Sequence, residues 1–295
     1  MSATPDARVT IPALQAKKAA GEKIVALTAY DYAVARIIDE AGIDLILVGD
    51  SLGMVVLGYS DTLPVTMEDI LHHLRPVSRA ARRALVIGDM PFLSYHGDEA
   101  AAVANAGRFI KEGGAQGVKI EGASPRRLRL IEALVEADIP VLGHVGLTPQ
   151  SVARLGGFKV QGTSAVDARR LIGEALDLES AGAFAVVLEC IPAEVAGLIT
   201  GRLALPTIGI GAGPLCDGQI IVFHDLVGYL DGYLPKFVKK YADLHAVIGD
   251  AVAHYGEDVR RGGFPNGEQS YHLKPPVLAE LRKSRNSRSR PRRKA

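Results

Sequence analysis

The sequence predicts a (β/α)₈ barrel, the TIM-barrel fold, from three observations. Eight short runs rich in Val, Ile and Leu recur along the 295-residue chain. Helical patterns lie between most of them, and such alternation is typical of parallel α/β folds. The runs contain few polar residues, as expected for strands buried on both faces. They cover residues 23–29, 45–49, 85–88, 117–120, 140–143, 185–188, 206–211 and 219–223.

The predicted helices follow these strands and carry ordinary start and stop signals. Gly42, Gly113 and Gly182 stand where glycines commonly end helices. A short helix is also expected before the first strand, beginning near Thr10 with Pro12 in its first turn. The longer helices are predicted over residues 31–41, 98–113, 124–137, 165–181 and 192–203.

A doubly wound sheet is the alternative fold for alternating strands and helices. It would need a glycine-rich phosphate-binding turn after the first strand. That turn reads Thr28-Ala29-Tyr30-Asp31-Tyr32 and contains no glycine. The barrel is therefore favoured, and a single barrel also suits a chain of 295 residues.

The domain organisation predicted is one catalytic barrel over residues 1–273, followed by a basic low-complexity tail over 274–295. Helical pieces are expected around residues 235–255, outside the repeat. The tail is expected to be disordered, because its composition offers little apolar surface to bury.

The charge distribution argues against a nucleic-acid-binding barrel. Residues 281–295 contain eight of the 34 Lys and Arg and no acid. The rest of the chain then has 26 basic residues against 33 acidic ones, a net charge of about −7. A generally basic surface is excluded, and only the tail could bind nucleic acid, weakly and in a salt-dependent way.

Several other classes of protein are disfavoured by what the sequence lacks. The two cysteines, Cys190 and Cys216, exclude a disulfide framework and a cysteine-rich zinc site. No run of 18 apolar residues occurs, so no membrane association is expected. The first residues lack the apolar stretch of a secretory signal, and a cytoplasmic location is expected.

Polar residues end five consecutive apolar runs, at the place where barrel enzymes hold their catalytic groups. They are Asp50, Asp89, Glu121, His144 and Glu189. Acids brought together on neighbouring strands repel each other unless a cation lies among them. Ligands that are all oxygen favour Mg²⁺. The alternative is that each acid only caps the helix that follows it.

Other residues of this group also allow two interpretations. Lys119 shares a strand face with Glu121. It could form a structural ion pair or bind an anionic substrate; a Schiff base is disfavoured because nearby carboxylates keep the amine charged. Glu189 follows a strongly apolar stretch that suits proton transfer, or it caps a helix. His144 is a site residue or a core histidine.

Nine segments of the chain resemble the ketopantoate hydroxymethyltransferase family. The resemblance extends over about residues 8–272, and the tail from Lys274 onward matches nothing in the family. The segments are LTAYDY (27–32), VGDSLGMVVLGYSDTLPVT (48–66), GDMPFLSY (88–95), VKIEG (118–122), GHVGLTPQSV (143–152), GGFKVQG (156–162), LECIP (188–192), IGIGAG (208–213) and DGQIIVFHD (217–225).

The resemblance implies a fold, an activity and partners. The fold is a barrel of the phosphoenolpyruvate mutase and isocitrate lyase superfamily. The activity is transfer of a hydroxymethyl group from 5,10-methylenetetrahydrofolate to 3-methyl-2-oxobutanoate, giving 2-dehydropantoate and tetrahydrofolate in pantothenate biosynthesis. Mg²⁺ is the implied cofactor, and a homodecamer is the implied assembly.

The resemblance also implies roles for particular residues. Asp50 and Asp89 resemble direct metal ligands, and Glu121 resembles the third acid of the metal site. Glu189 resembles the proton acceptor. The residues expected to contact the substrate are Asp50, Ser51, Asp89, Lys119 and His144.

The mechanism expected from residues and resemblance together is enolisation of a 2-oxoacid, with Mg²⁺ lowering the pKa at C3 and stabilising the enolate. The alternative is another metal-dependent C–C lyase of the same superfamily, acting on a different 2-oxoacid. Such lyases usually carry a Lys-Lys-Cys-Gly-type motif with a reactive cysteine, and this sequence has none.

Overall fold

The computed structural model describes residues 7–232 and 234–287, and it contains a closed barrel of eight parallel strands. Neighbouring strands pair in chain order, and β1 pairs with β8 to close the sheet. Every predicted run overlaps a strand, so the barrel is confirmed and the doubly wound sheet is excluded. The strands are β1 (Ile24–Thr28), β2 (Leu45–Val48), β3 (Leu85–Asp89), β4 (Gly117–Lys119), β5 (Val141–Gly146), β6 (Ala185–Glu189), β7 (Thr207–Ile210) and β8 (Gly218–Ile221).

The helices connect the strands, and many begin at a side chain that caps the first turn. Thr10 accepts a hydrogen bond from the backbone N–H of Ala13, as the predicted N-terminal helix requires. Across residues 7–232 and 234–287, no helix combines the length and apolar character needed to cross a membrane. The helices are α1 (Ile11–Ala20), α2 (Tyr32–Glu40), α3 (Leu52–Val55), α4 (Met67–Ala80), α5 (Glu99–Lys111), α6 (Pro125–Glu136), α7 (Val152–Leu155), α8 (Ala165–Ser180), α9 (Ala193–Thr200), α10 (Phe223–Leu226), α11 (Leu244–Arg261) and α12 (Pro275–Ser287).

The apolar core forms two clusters, because successive strand residues point to opposite faces of the sheet. One cluster contains every second residue of several strands together with Leu14 of α1, and it fills the barrel interior. The other contains the intervening residues, including Val118 and Ile120, packed with helix residues such as Phe109. Val118 and Ile120 therefore face the helices.

Helix α1 lies at the N-terminal ends of the strands. Asp44, directly before β2, accepts bonds from Lys17 of α1 at 2.7 Å and from the backbone N–H of Val25 at 3.0 Å. Asp217, directly before β8, is paired with Lys18 of α1 at 2.8 Å. These contacts leave the opposite, C-terminal ends of the strands open for a site.

The C-terminal part differs in detail from the prediction. The chain separates into two compact units, Met1–Ala242 and Asp243–Ala295. The expected helical region at 235–255 is instead α11, which begins at Leu244. The predicted domain boundary at residue 273 stays a prediction.

The segment predicted to be a disordered tail contains a helix. Residues Pro275–Ser287 form α12. The physical reason is composition: proline suits the first turn of a helix, and Leu, Ala, Glu, Arg and Lys have high helix propensity. The rest of the predicted tail, 288–295, lies outside the described residues.

Candidate active site

The predicted site residues lie at the C-terminal ends of consecutive strands. Asp89 ends β3 and follows the inward-facing residues Leu85 and Ile87 at a spacing of two. His144 lies two residues after Leu142 on β5, and Glu189 lies two residues after Val187 on β6. Both side chains therefore point to the same face as these inward residues, into the barrel mouth. Strand geometry therefore brings together side chains that are far apart in sequence.

Asp50, Asp89 and Lys119 form the buried centre of this group. Their exposed fractions are 4%, 2% and 5%. The Lys119 Nζ lies 2.8 and 2.9 Å from the two carboxylate oxygens of Asp89 and 3.4 Å from Glu121 Oε1. The backbone N–H of Asp50 donates to Asp89 Oδ2 over 3.3 Å. Lys119 thus forms the ion pair that the sequence allowed, at a position that also faces the mouth.

The three acids contain more negative charge than Lys119 offsets. Burial raises the pKa of Asp50 well above its usual value, and the nearby charges of Asp89 and Glu121 raise it further. Burial also raises the pKa of Asp89, although the Lys119 charge opposes this. Burial acts on Glu121 in the same direction, but Lys119 and His144 outweigh it and lower the pKa. A cation placed near Asp50 would relieve this repulsion.

His144 lies between two carboxylates and is completely buried. Its Nδ1 is 3.5 Å from Glu121 Oε1, and its Nε2 is 3.3 Å from Glu189 Oε2. These are ion-pair distances; neither ring nitrogen has a well-aligned hydrogen bond within the described residues. Burial and the Lys119 charge lower the pKa of His144, but the two carboxylates prevail and raise it to about 9. The predicted contact of His144 with substrate stays a prediction.

Glu189 ends β6 beside a glycine that permits the close approach of β5. Its side chain is 17% exposed, so it lies at the edge of the buried cluster. Gly146 pairs with Glu189 in the sheet and has φ of 104°; a Cβ there would collide with the Glu189 carbonyl. Burial and the Glu189 charge raise the pKa of the adjacent Cys190 thiol to about 12, so Cys190 is a poor nucleophile at neutral pH.

A small cavity of about 60 Å³ lies in the barrel mouth. One side is polar and includes Asp50, Ser51 and Lys119. The other side is apolar and includes Val187 and Ile210. Such a cavity suits a small anion with a branched apolar end.

A second cavity, of about 740 Å³, borders the same cluster at Glu121. Its lining includes the rings of Phe92 and His96 and the guanidinium of Arg127. Arg127 is half-buried, and its Cζ lies 4.4 Å from the centre of the Tyr95 ring. This cavity could accept a larger ligand with a planar part and a negative charge.

Two residues of the site were missed in the sequence. The Tyr30 hydroxyl lies 2.8 Å from Ser51 Oγ. Gln150 hydrogen-bonds to both Asp50 and Glu121. Tyr30 and Gln150 both follow predicted strands and lie within the nine segments that resemble the family. This position is the signal by which they could have been recognised as site residues. Their side chains are uncharged, so residue type alone did not distinguish them from ordinary loop residues.

The arrangement fits Mg²⁺, although it is not a ready-made cage for a metal. Within residues 7–232 and 234–287, no group of three or more His, Cys, Asp or Glu side chains could hold a metal ion by itself. Mg²⁺ usually binds through one or two carboxylates, with water and substrate oxygens completing the shell. Asp50 and Asp89 supply two buried carboxylates with excess negative charge. The predicted three-acid set, with Glu121, stays a prediction.

A closed (β/α)₈ barrel with buried acids, a lysine and a histidine at its C-terminal mouth defines a barrel enzyme. The family model of ketopantoate hydroxymethyltransferase matches residues 8–267. The chain belongs to this family.

Relatives from several bacteria carry one name. A 3-methyl-2-oxobutanoate hydroxymethyltransferase from Syntrophomonas wolfei is 53% identical over 275 residues, covering 93% of this chain and 99% of that protein. One from Geotalea daltonii is 56% identical over 263 residues, covering 89% of this chain and 98% of that protein.

Solved structures of more distant proteins share the fold. Phosphonopyruvate hydrolase in complex with oxalate and Mg²⁺ has a TM-score of 0.58 at 15% identity, covering 95% of this chain and 96% of the other. A 2,3-dimethylmalate lyase of the phosphoenolpyruvate mutase/isocitrate lyase superfamily has a TM-score of 0.56 at 19% identity, covering 94% and 95%. At this identity the likeness concerns the fold alone.

Proposed function

We propose that the protein transfers a hydroxymethyl group from 5,10-methylenetetrahydrofolate to 3-methyl-2-oxobutanoate. Water is consumed, and 2-dehydropantoate and tetrahydrofolate are formed, a step of pantothenate biosynthesis. The relatives at 53–56% identity bear the name of this activity. The observation that carries the proposal is the mouth cavity, where buried acids and Lys119 face an apolar wall.

The cavity explains how a branched 2-oxoacid would be held. The ammonium group of Lys119 attracts the substrate carboxylate, and Ser51 offers a hydroxyl on the same side. Val187 and Ile210 form an apolar wall for the isopropyl group, which gains free energy by leaving water. The orientation that results places the isopropyl end of the substrate, with C3, beside β6, the strand that carries Val187 and ends at Glu189.

Asp50 and Asp89 are the residues proposed to hold Mg²⁺. When bound, Mg²⁺ supplies Lewis-acid stabilisation of the negative charge that develops on the substrate oxygens. Lys119 balances part of the remaining charge, because it contacts Asp89 at 2.8 Å. The buried position of these groups strengthens each of their interactions by excluding water.

Glu189 is proposed as the base that removes the C3 proton. Its partly exposed carboxylate lies at the edge of the mouth, and His144 lies 3.3 Å away. A protonated His144 pairs with the Glu189 carboxylate at this distance and restricts its orientation. The enolate carbon then attacks the methylene carbon of the folate, one C–N bond of the methylene bridge breaks, and the freed nitrogen takes the proton held by Glu189. Water replaces the second folate nitrogen at that carbon, which gives the hydroxymethyl group and releases tetrahydrofolate.

The alternative role of Glu189 as a helix cap is not seen, because α9 follows Pro192 and has no side-chain cap. His144 is buried in the core, as its alternative interpretation required, and it also lies between the two carboxylates.

The larger cavity supports the folate as co-substrate. Its volume of about 740 Å³ lies in the range of sites for molecules of this size, about 300–1,000 Å³. Phe92 and His96 offer aromatic surfaces to a planar ring, and Arg127 offers a cation to a carboxylate. Glu121 borders both cavities, so ligands in the two would be neighbours.

Assembly and location complete the proposal. The protein is proposed to be a cytoplasmic homo-oligomer, as a decamer, without membrane or nucleic-acid partners apart from weak contact by the tail. Helix α11 supports an oligomer: it has no buried residue, and its apolar side chains Val247, Val252 and Tyr255 are 61%, 63% and 58% exposed. Sedimentation of the purified protein would measure the assembly directly.

The first experiment follows the C3 proton of 3-methyl-2-oxobutanoate by proton NMR in D₂O. The protein is supplied with Mg²⁺ and, in a matched sample, with EDTA. We expect the C3 signal to disappear only in the sample with Mg²⁺. Addition of 5,10-methylenetetrahydrofolate should then produce 2-dehydropantoate.

The result that would overturn the proposal is an unchanged C3 proton both alone and with tetrahydrofolate present. The second sample matters because folate binding could be required before proton removal. Cleavage of the 2-oxoacid without exchange would instead indicate a C–C lyase. The sequence contains no Lys-Lys-Cys-Gly motif of the kind such lyases usually carry, which argues against that alternative.

A further inference from the structure

Gln150 lies beside the acids of the barrel mouth, and the proposed chemistry gives it no role. It is the middle residue of the short 3₁₀ helix Pro149–Ser151, which follows β5. Its exposed fraction is 6%, although glutamine is usually a surface residue. A buried amide must find partners for its donors and its acceptor, and these partners identify its role.

The Gln150 side chain has a partner at each end. Its Nε2 donates to Asp50 Oδ2 at 2.9 Å and to the Met90 carbonyl at 2.9 Å. Its Oε1 accepts from the Tyr95 hydroxyl at 2.7 Å. Both amide hydrogens are donated to oxygens that accept hydrogen bonds, those of the Asp50 carboxylate and the Met90 carbonyl. The amide orientation is therefore determined by its surroundings.

Tyr95 holds this orientation from the other side. The backbone N–H of Glu121 donates to the Tyr95 hydroxyl over 3.3 Å, so the hydroxyl proton is directed to Gln150 Oε1. The Arg127 guanidinium lies over the Tyr95 ring. The result is a directed chain of hydrogen bonds that begins at the Glu121 backbone and ends on the Asp50 carboxylate.

The backbone of Gln150 makes a second contact with the acids. Its N–H donates to Glu121 Oε2 over 3.1 Å. One residue therefore contacts acids that follow β2 and β4, on either side of β3. Asp50 Oδ2 is occupied by the Gln150 amide, whereas Asp50 Oδ1 accepts no hydrogen bond from the described part of the chain. Asp50 thus presents one defined oxygen to the mouth.

We propose that Gln150, held by Tyr95, is a positioning residue that orients the Asp50 carboxylate toward a divalent cation shared with Asp89 and fixes Glu121 beside it. The inference rests on the proposed function, because that function supplies the cation. Hydrogen-bonded neighbours of metal-binding carboxylates restrict their rotation, and their loss typically weakens metal binding by about 10- to 100-fold. Gln150 is expected to act on metal affinity, and on substrate only through the metal.

The test measures binding of Mn²⁺, a paramagnetic probe for a Mg²⁺ site, by the EPR signal of the free ion. Gln150→Met keeps the length of the side chain and removes both amide donors. We expect its Kd for Mn²⁺ to rise about 10- to 100-fold. Tyr95→Phe removes one oxygen and should raise the Kd less, because the amide keeps its own donors. Saturating Mn²⁺ should restore C3 exchange in both variants, which a general loss of structure would not allow.

Gln161→Met is the matched control. Gln161, like Gln150, lines the larger cavity, and its amide nitrogen donates to the Lys159 carbonyl rather than to an acid. Its Kd for Mn²⁺ should equal that of the unchanged protein. If Gln150→Met does not fold, as seen by circular dichroism, Tyr95→Phe decides the question.

Two results would contradict the inference, and they differ. If the unchanged protein binds Mn²⁺ and both variants bind it equally well, Gln150 does not position the acids. If the unchanged protein binds no Mn²⁺ although it exchanges the C3 proton, the metal part of the proposed function is wrong, and this inference falls with it.

Discussion

At the scale of single residues, Lys119 makes it possible for three acids to share one buried mouth. Its ammonium contacts Asp89 and Glu121, and all three groups are about 5% exposed or less. A buried charge without a partner costs several kcal/mol, roughly 3–5 when one member of a pair is removed. Asp50 is the acid that this lysine compensates least. The residue-level balance of charge therefore favours a cation beside Asp50.

Glu189→Gln should remove the proposed base and leave the packing intact. We expect C3 exchange to slow by about 100-fold or more, the usual size of a general-base contribution, while substrate KM changes little. Glu194→Gln, an exposed acid in the first turn of α9, is the control. Proton NMR in D₂O measures both. Exchange at the unchanged rate in Glu189→Gln would assign the base role to another group.

The stability of the metal-free protein should depend on the protonation of His144. Its pKa is raised from 6.5 to about 9 in the folded chain, so the stabilisation is complete below pH 6.5. It is lost as the pH rises through 9. In EDTA, the Tm should fall across this interval, and His144→Gln should reduce the fall. His245→Gln, an exposed histidine of α11, should keep the original pH dependence; an equal fall in all three proteins would contradict the prediction.

Much of the site was predictable from residue spacing. Asp89, Lys119, His144 and Glu189 are polar residues at inward positions of apolar strands, where their type is unexpected. Gln150 was not predictable in the same way. Its importance depends on a turn that folds back over the acids, and no periodicity describes that turn.

At the scale of elements, α1 and the barrel share a core. Leu14 of α1 is completely buried in the cluster inside the barrel. Its neighbours Lys17 and Lys18 pair with acids that precede β2 and β8. The helix therefore closes the end of the barrel opposite the site, and it contributes to stability more than to chemistry.

Leu14→Ala should destabilise the fold without altering the site. We expect the free energy of unfolding to fall by about 3 kcal/mol, because the substitution leaves a cavity in the interior. Urea unfolding measures this change. Leu198→Ala, at a leucine of α9 that is 52% exposed, should cost much less. The KM for the 2-oxoacid should not change in either variant. A large change of KM in Leu14→Ala would contradict this prediction and would show that packing near α1 affects the site at the other end of the barrel.

Helix ends were predicted less well than helix positions. Gly113 was expected to end α5, but Gly114 has the left-handed φ of 74°. A Cβ on Gly113 would collide with Leu74 and with the Phe109 carbonyl. Of two adjacent glycines, one is therefore needed for close packing and the other for the turn. Sequence alone does not show which neighbour will be close, so the two roles could not be separated.

At the scale of the whole molecule, charge is divided between an acidic body and a basic end. Residues 1–280 contain 33 acidic and 26 basic residues, whereas residues 281–295 contain eight cations and no acid. Composition alone separates these cations from the predicted site residues, and this separation stays a prediction. The helix α12 was not foreseen, because repeated charge suggested disorder more strongly than helix propensity suggested order.

Removal of residues 274–295 should leave catalysis unchanged. The site lies wholly between residues 28 and 222, and the truncated chain keeps all of them. We expect equal C3 exchange rates for the full and truncated proteins by NMR. The full chain should show at most weak retention on DNA at low salt, and truncation should abolish it. A tenfold loss of exchange on truncation would place the tail within the catalytic unit.

The pairing of β1 with β8 affects how the chain folds during its synthesis. Ile24 lies opposite Gly218, so most of the chain must be synthesised before the barrel can close. Until then, β1 has an unpaired edge, and long-range pairing of this kind is slow to form. Each acid of the barrel mouth leaves the ribosome before β8, the strand that closes the barrel around it. The nascent enzyme therefore acquires its site in one late event, and the interval before closure is when it is most exposed to aggregation.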